Sequence, residues 1–394
     1  MELKKLKLEN YRNYDSLELK FNKKNTIFIG NNAQGKTNIL ESVYVLGLTK
    51  SYLNINEKNL IKFDKVYSKI HGTIIDNNIE KKLEILINEK GKKVKIDGQE
   101  VNKLSNYISK LNVIIFSPDN IRLLKESPSY RRKYLNIEIS QLYSNYINNL
   151  NDFNKLLKQR NEYLKVISNS ENYDSDYLNI LDEKYVELSV NIYLYRKKFI
   201  DKINDNLEDI YFKITGFNNL KVKYISCIDY CDDKKEMREM FYNKLKFNLK
   251  KDVFYKMSLL GPHRDDFMLE LDNRNILLYG SQGQTRCAVL ALKFAEIPIF
   301  KSILDVNPIL LLDDIFSELD VNKKNLLIEF IPNDIQTIIT TTDLNLIDKK
   351  ILENSEIYVV DNGKIISNWY KGKGEFKKWK MKIMYIMMRP IFRF

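Results

Sequence analysis

The chain has 394 residues, enough for two or three compact units at about 150 residues each. With 44% hydrophobic and 12% aromatic residues it can bury a sizeable core, which excludes wholesale disorder. No apolar run reaches the roughly 18 residues of a membrane span. The opening Met1-Glu2-Leu3-Lys4-Lys5 has no apolar signal core, so a cytoplasmic location with no membrane partner is expected. Cys227, Cys231 and Cys287 cannot build a disulfide framework and fit a reducing compartment.

Charge is unevenly placed. The formal net charge is +12, yet residues 371–394 alone carry +7, from six Lys and two Arg against one Glu. A basic chain favours nucleic acid or an anionic surface as partner. With over half the excess in one stretch, and a Lys-, Asn-, Ile- and Tyr-rich composition that AT-rich coding also produces, charge is weak evidence for DNA binding.

In chain order, residues 1–30 read as strands. Leu6 and Leu8 alternate, as do Leu17, Leu19 and Phe21, and Thr26 to Ile29 is a short buried-strand run. Ile39, Leu40, Val43 and Leu46 then follow helical spacing. Two alternating runs, Lys82 to Glu89 and Lys92 to Ile96, precede an Asp97-Gly98 hairpin turn. Character changes at Pro118 and Pro128. From Tyr130 to about Gly216 the pattern is helical: Leu135, Ile139, Leu142, Tyr146, Leu150 and Phe153 keep one face, and Leu178, Leu181, Val186, Val190 and Tyr193 another. These predict an antiparallel helical hairpin. Val222 to Ile228 reads as a strand, Lys234 to Lys250 as an amphipathic helix, Phe267 to Leu271 as a strand, and Gly283 to Phe300 as a helix. Ile309 to Leu312, Gln336 to Thr340, and Ile357 to Val360 with Ile365-Ile366 around an Asn362-Gly363 turn complete the strands. The organisation is one α/β domain whose halves are separated by a mostly helical insertion.

Gly30-Asn31-Asn32-Ala33-Gln34-Gly35-Lys36-Thr37 matches G-x-x-x-x-G-K-[ST] between an apolar strand and a helix. Glycines let successive N–H groups point at phosphate oxygens. Lys36 would bridge the β- and γ-phosphates and the Thr37 hydroxyl would ligate Mg²⁺. The acidic strand such a site needs is Ile309 to Asp314: Asp313 would hold the hydrated metal and Asp314 would act on the attacking water. Ser281-Gln282-Gly283-Gln284, 32 residues before Asp313, is either a plain helix cap or an anion site at a helix start. It resembles the signature motif of ABC-type ATPases, where Ser281 and Gly283 would meet the γ-phosphate held by a second subunit.

These blocks, together with Glu9 to Tyr14, Phe116 to Asp119, Ser129 to Arg132, Gly261-Pro262-His263-Arg264-Asp265-Asp266 and Leu311 to Asp320, resemble the bacterial RecF family, the SMC-like ABC ATPases of recombinational repair, over about residues 1–370. The resemblance implies an α/β fold, an ABC-type P-loop ATPase head with a mostly helical inserted second lobe. Residues 1–117 and 251–370 are expected to form the head, 118–250 the insertion and 371–394 an atypical basic tail. It also implies ATP and Mg²⁺ as cofactors, an ATP-dependent homodimer and weak DNA-stimulated ATPase activity. Single-stranded and gapped double-stranded DNA, with RecR and RecO and indirectly RecA, are the partners it implies, with a part in SOS induction. Lys36, Asp313 and Asp314 would be catalytic, and Asp320 would communicate across the dimer. Phe116 to Asp119 holds no Gln and Thr341-Thr342-Asp343 no His, so the usual γ-phosphate sensors are missing; Thr341 or Thr342 is the stand-in.

For other residues two readings stay open. His263 and Arg264 either contact DNA, nucleotide or a dimer partner, or form a turn salt-bridged to Asp265 and Asp266. Arg131, Arg132 and Lys133 either meet DNA phosphates or coat a solvated helix face. Arg12 either contacts nucleotide or forms a surface ion pair. Neither histidine has metal-spaced company, which argues against zinc. The competing functions are a transporter's ATP-binding subunit, opposed by the missing Gln and His and by the insertion of about 90 residues, and a chromosome-tethering SMC head, opposed by an arm too short for a long coiled coil.

Overall fold

The computed structural model describes residues 1–53, 55–170, 172–231, 233–317 and 321–369. In chain order, β1 (Glu2–Tyr11) and β2 (Tyr14–Lys20) form a hairpin, and β3 (Asn25–Ile29) leads into helix α1 (Lys36–Leu48). A meander of β4 (Tyr67–Asp76), β5 (Ile79–Asn88), β6 (Gly91–Ile96) and β7 (Gln99–Glu100) precedes α2 (Leu104–Tyr107) and β8 (Val113–Phe116). Helices α3 (Arg122–Lys125), α4 (Pro128–Leu142), α5 (Ser144–Ser168) and α6 (Ser175–Thr215) follow, then β9 (Leu220–Ile225) and α7 (Lys234–Tyr255). The chain continues through β10 (Asp266–Leu271), β11 (Arg274–Asn275), α8 (Ile276–Tyr279) and α9 (Gln282–Leu304). It closes with β12 (Ile309–Asp313), α10 (Val321–Phe330), β13 (Thr337–Thr341), α11 (Lys349–Glu353), β14 (Ser355–Asp361) and β15 (Lys364–Trp369).

Two compact units result, one of Met1–Asn120 with the described residues from Glu296 onward, the other Ile121–Ala295. Residues 251–295, expected with the C-terminal half of the head, therefore fold with the helical unit. The cause is strand pairing: β10 runs antiparallel to β9, from Asp266 opposite Ile225 to Leu271 opposite Leu220.

In the first unit an antiparallel sheet has the order β2-β1-β4-β5-β6-β7 and a mainly parallel sheet the order β15-β14-β3-β13-β12-β8. Helix α1 packs against β12, β13 and β8 of the parallel sheet and β4 and β5 of the antiparallel one. With sheets against it on two sides it is buried from Ile39 through Leu48, which is why its sequence lacks a polar face. The run Ile309 to Leu312 is fully buried between β13 and β8, as expected of a parallel strand covered on both faces. Buried Gln336 clasps β1 by accepting from Leu3 N at 2.7 Å and donating to Leu3 O at 2.8 Å.

The second unit contains the predicted helical hairpin, α5 against α6. Helix α6 has 41 residues, about 60 Å. Asp174 caps its start by accepting from Asp176 N and Tyr177 N at 3.0 Å, and Gly216 ends it at φ 76°. The face read from Leu135 to Phe153 as one run is split between α4 and α5, because Tyr143 adopts extended backbone at φ −136°. Arg160, fully buried, holds the helices together through Asp182 and Asp252, each at 2.7 Å. Among the described residues no helix is long and apolar enough to cross a membrane. The tail 371–394 and the Glu318 to Asp320 segment lie outside the described residues.

Candidate nucleotide site

The apolar strand β3 ends at the phosphate-loop motif, and the loop turns into α1 at Gly35, whose φ of 109° is costly for any residue with a Cβ. A Cβ there would also stand 2.5 Å from Asn13 Nδ2 and 2.9 Å from the Tyr14 hydroxyl. The loop is braced from two sides. From the β1–β2 turn, Asn13 Nδ2 donates to Gln34 O at 3.2 Å and Tyr14 to Gly35 O at 3.1 Å. From the β14–β15 turn, Gly363 N donates to Gln34 O at 3.0 Å and Asn362 N to Gln34 Oε1 at 2.5 Å. Lys36 Nζ donates to Gly30 O and Asn31 O, both at 2.7 Å. Carbonyls tied to the scaffold leave the N–H groups of the same planar peptides pointing the other way, the arrangement an anion needs.

The acidic strand meets this loop. Thr37 donates to Asp313 Oδ1 at 3.0 Å, Thr340 donates to the same oxygen at 2.7 Å, and Tyr52 donates to Oδ2 at 2.8 Å. Asp314, at φ 49°, donates its N–H to the Thr340 hydroxyl at 3.0 Å. A cavity of about 140 Å³ is lined by Asn32, Ala33, Gln34, Gly35, Lys36 and Thr37, with Asn38, Asp314 and Thr340 completing it. Burial pushes the Lys36 ammonium below its ordinary pKa, and the charges of Asp314 and then Asp313 oppose that push. Burial and then the Asp313 charge hold Tyr52 well above the ordinary tyrosine range, so it stays a neutral donor.

The donors suit a hard cation shared with phosphate. Thr37 and Asp313 present oxygen to oxygen, and among the described residues no cluster of three His, Cys, Asp or Glu could hold a metal by itself. Mg²⁺ is held in this way, by one or two protein oxygens plus phosphates and water. Asn38 also lines a larger hollow of about 620 Å³ walled by Arg12, Asn13, Lys58, Asn59 and Lys62 among others.

Arg12, left open between nucleotide and surface pair, makes a two-pronged bond to fully buried Glu41 of α1, both contacts at 2.8 Å. Tyr11 at 2.9 Å and Ser51 at 2.5 Å also donate to Glu41. The ion pair thus joins the β1–β2 turn to α1 rather than decorating a surface. Thr341, a stand-in for the missing sensor, instead caps its own turn by donating to Asp343 O at 2.9 Å. Thr340 is the threonine that faces the cavity. Neither Thr340 nor Tyr52 stands in a recognisable sequence motif, and only the register of β13 beside β12 brings Thr340 opposite Asp313.

The remaining candidates lie in the second unit. Ser281 and Gln284 form a capping box, Gln284 N donating to Ser281 Oγ at 3.2 Å and Ser281 N to Gln284 Oε1 at 2.8 Å. Ser281, Gln282 and Gly283 are exposed. In the Gly261 to Asp266 block, Gly261, Pro262 and Asp265 are buried, His263 and Asp266 are half-buried and Arg264 is exposed. His263 Nε2 lies 2.9 Å from Ser258 O, and burial lowers its pKa to about 4. Asp265 bonds Arg196 at 3.3 Å and also Tyr224, while Asp266 takes both prongs of Arg131 at 2.6 and 2.8 Å. Arg132 donates to Asp265 O at 2.8 Å. Arg131 and Arg132 thus anchor α4 to the block instead of coating a solvated face.

A family model described as the RecF/RecN/SMC N-terminal domain matches residues 2–366. The DNA replication and repair protein RecF of Clostridium kluyveri is 40% identical over 367 residues, covering 93% of this chain and 99% of its own. That of Enterococcus faecalis is 40% identical over 372 residues, covering 93% and 99%. A solved structure of the recombination mediator protein RecF-ATP in the RecFOR pathway superposes with a TM-score of 0.85 at 31% identity, covering 93% of this chain and 97% of that one.

Proposed function

Because this chain belongs to the RecF family and has its ABC-type ATPase-head fold, we propose that it is an ATP-dependent DNA-binding protein of recombinational repair and replication restart. On this reading it is an ATP-switched dimer that binds junctions of single- and double-stranded DNA. It helps load RecA together with RecO and RecR, and it serves SOS induction. The solved relative that carries ATP supports nucleotide binding here.

The observation that carries the reading is the meeting of Thr37 and Asp313 at 3.0 Å, 276 residues apart. Lys36 exchanges its bonds to Gly30 O and Asn31 O for the β- and γ-phosphates of ATP, and the loop amides take the remaining oxygens. Thr37 and Asp313 would hold Mg²⁺, which would neutralise charge on those phosphates. Thr340 and Tyr52 keep the Asp313 carboxylate in one orientation while Thr37 turns outward. Asp314 accepts the proton of the attacking water. Its reach is one methylene shorter than a glutamate's, which suits slow hydrolysis that times a switch. On this reading the larger hollow at Arg12 and Asn59 takes the nucleoside. Ser281 and Gly283, exposed on their own unit, complete the site of a second copy, so ATP has higher affinity for the closed dimer and drives closure.

The test is the ATPase rate per subunit measured against enzyme concentration, with and without gapped duplex DNA. A rate that climbs with concentration and rises again with DNA is expected. A flat, DNA-blind rate means one chain holds a complete site, and the dimer clamp is abandoned.

A further inference from the structure

Helix α7 has two faces of different kinds. Inward it buries Met237, Phe241, Leu245 and Asp252, and Leu249 and Val253 pack on the cluster of Leu164, Ile167 and Leu178. Outward it shows Phe247, 90% exposed, and Phe254, 77% exposed. Seven residues apart, they stand two turns from each other on one stripe, about 10.5 Å along the axis. Tyr255, also exposed, packs edge-on against Phe254 at 5.1 Å between ring centres. Lys250, Lys251 and Lys256 are exposed around these rings. From Met240 to Lys256 the single acid is Asp252, buried and bonded to Arg160 at 2.7 Å. The exposed stripe is thus cationic and aromatic with no carboxylate of its own.

Isolated exposed phenylalanines are ordinary, but two in line on one stripe between lysines call for an occupant that is both anionic and flat. The chain's residues 371–394 do not qualify, since they carry +7. A duplex does not either, because its bases already stack on each other and offer only edges and phosphates. Single-stranded nucleic acid offers unpaired π-faces and a phosphate at every nucleotide. The geometry points to the outer face of α7 as a binding surface for single-stranded DNA, with Phe247 and Phe254 as stacking platforms and Lys250, Lys251 and Lys256 as phosphate contacts. This rests on the DNA-binding reading above and assigns the single-stranded side of the junction to this helix.

The full chain is titrated against a fluorescently labelled oligothymidylate and, separately, a blunt duplex, each with and without ATP. Phe247→Ala/Phe254→Ala should weaken oligothymidylate binding about tenfold or more, leaving duplex binding and the ATP-dependent dimer unchanged. Phe247→Trp/Phe254→Trp should bind as the wild type does, whereas Phe247→Leu/Phe254→Leu, apolar but unable to stack, should resemble the alanine pair. Wild-type affinity in the alanine pair while the parent binds both DNAs overturns the assignment of this face alone. A parent that binds neither DNA overturns the DNA-binding reading itself. Leucine variants that bind like wild type, or an alanine pair that changes self-association in sedimentation, would mean that the stripe docks protein, and the inference fails.

Discussion

Tyr52 donates its hydroxyl to Oδ2 of Asp313 at 2.8 Å, across 261 residues of sequence. Thr37 and Thr340 take the other oxygen, so both lone-pair regions of the proposed metal carboxylate are oriented by neutral hydroxyls. Tyr52→Phe removes one of these bonds and little volume. The Mg²⁺ concentration for half-maximal ATPase activity should rise about tenfold, with a stability loss of only about 1 kcal/mol. An unchanged Mg²⁺ titration would remove Tyr52 from the metal's support.

Substitutions at Lys36 and Ser281 should separate nucleotide binding from assembly. Lys36→Arg should keep part of the ATP affinity and lose turnover, because the longer planar head cannot follow the bonds to Gly30 O and Asn31 O. Ser281→Arg should bind ATP as a monomer and fail to dimerise. Sedimentation with ATP checks the second; a normal dimer would sink the idea that Ser281 acts on its neighbour's site.

Two glycines of the motifs should answer alanine differently. Gly35→Ala meets both a left-handed backbone and Asn13 at 2.5 Å, so stability should fall by about 1–3 kcal/mol and ATP binding with it. At Gly283 the nearest atom to an added Cβ is Ser281 Oγ at 3.9 Å. Gly283→Ala should leave the melting temperature unchanged or slightly higher, as helix propensity predicts, while the concentration-dependent ATPase rate drops. Equal loss of stability in both would refute the distinction.

His263 and Asp265 have opposite proton linkages two residues apart. The folded pKa of His263 is about 4, below its free value, so folding releases protons and its stabilising contribution is lost as pH falls from 6.5 towards 4. Burial raises Asp265 to about 6. Its carboxyl therefore favours the fold at low pH and loses that contribution as pH rises through 6. His263→Gln should gain on the wild type by about 2 kcal/mol between pH 7.5 and pH 5. Denaturant melts at the two pH values measure that difference; a constant gap would show that His263 is not the titrating group.

The nucleotide loop, the acidic strand and the helical insertion were legible because each rests on a local pattern: glycine spacing, an all-apolar tetrapeptide ending in acid, and a 3.6-residue period. Tyr52 and Thr340 were not, because their roles come from register between strands far apart in sequence. Arg12, Arg131 and His263 each allow two readings in the sequence for a related reason. A charged residue in a sequence looks solvated until its partner is found: Glu41 and Asp266 lie on other elements, and Ser258 O meets His263 only through the path of the loop they share. The 250/251 boundary missed the pairing of β9 with β10, which composition cannot signal.

The parallel sheet has a consequence for synthesis. Strand β3, at residues 25–29, has β13 and β14 as its two neighbours, and the loop it leads into is clamped by Asn362 and Gly363. A chain still on the ribosome therefore makes its phosphate loop early, with Asn13 and Tyr14 already available to brace one side of it, but β3 gains its sheet neighbours and the loop its second brace only when the last strands have emerged. A chain that stops short of the β14–β15 turn leaves β3 without its β14 neighbour and the loop with only the Asn13 and Tyr14 side of its clamp, so the order of synthesis puts completion of the loop's support among the last events of folding.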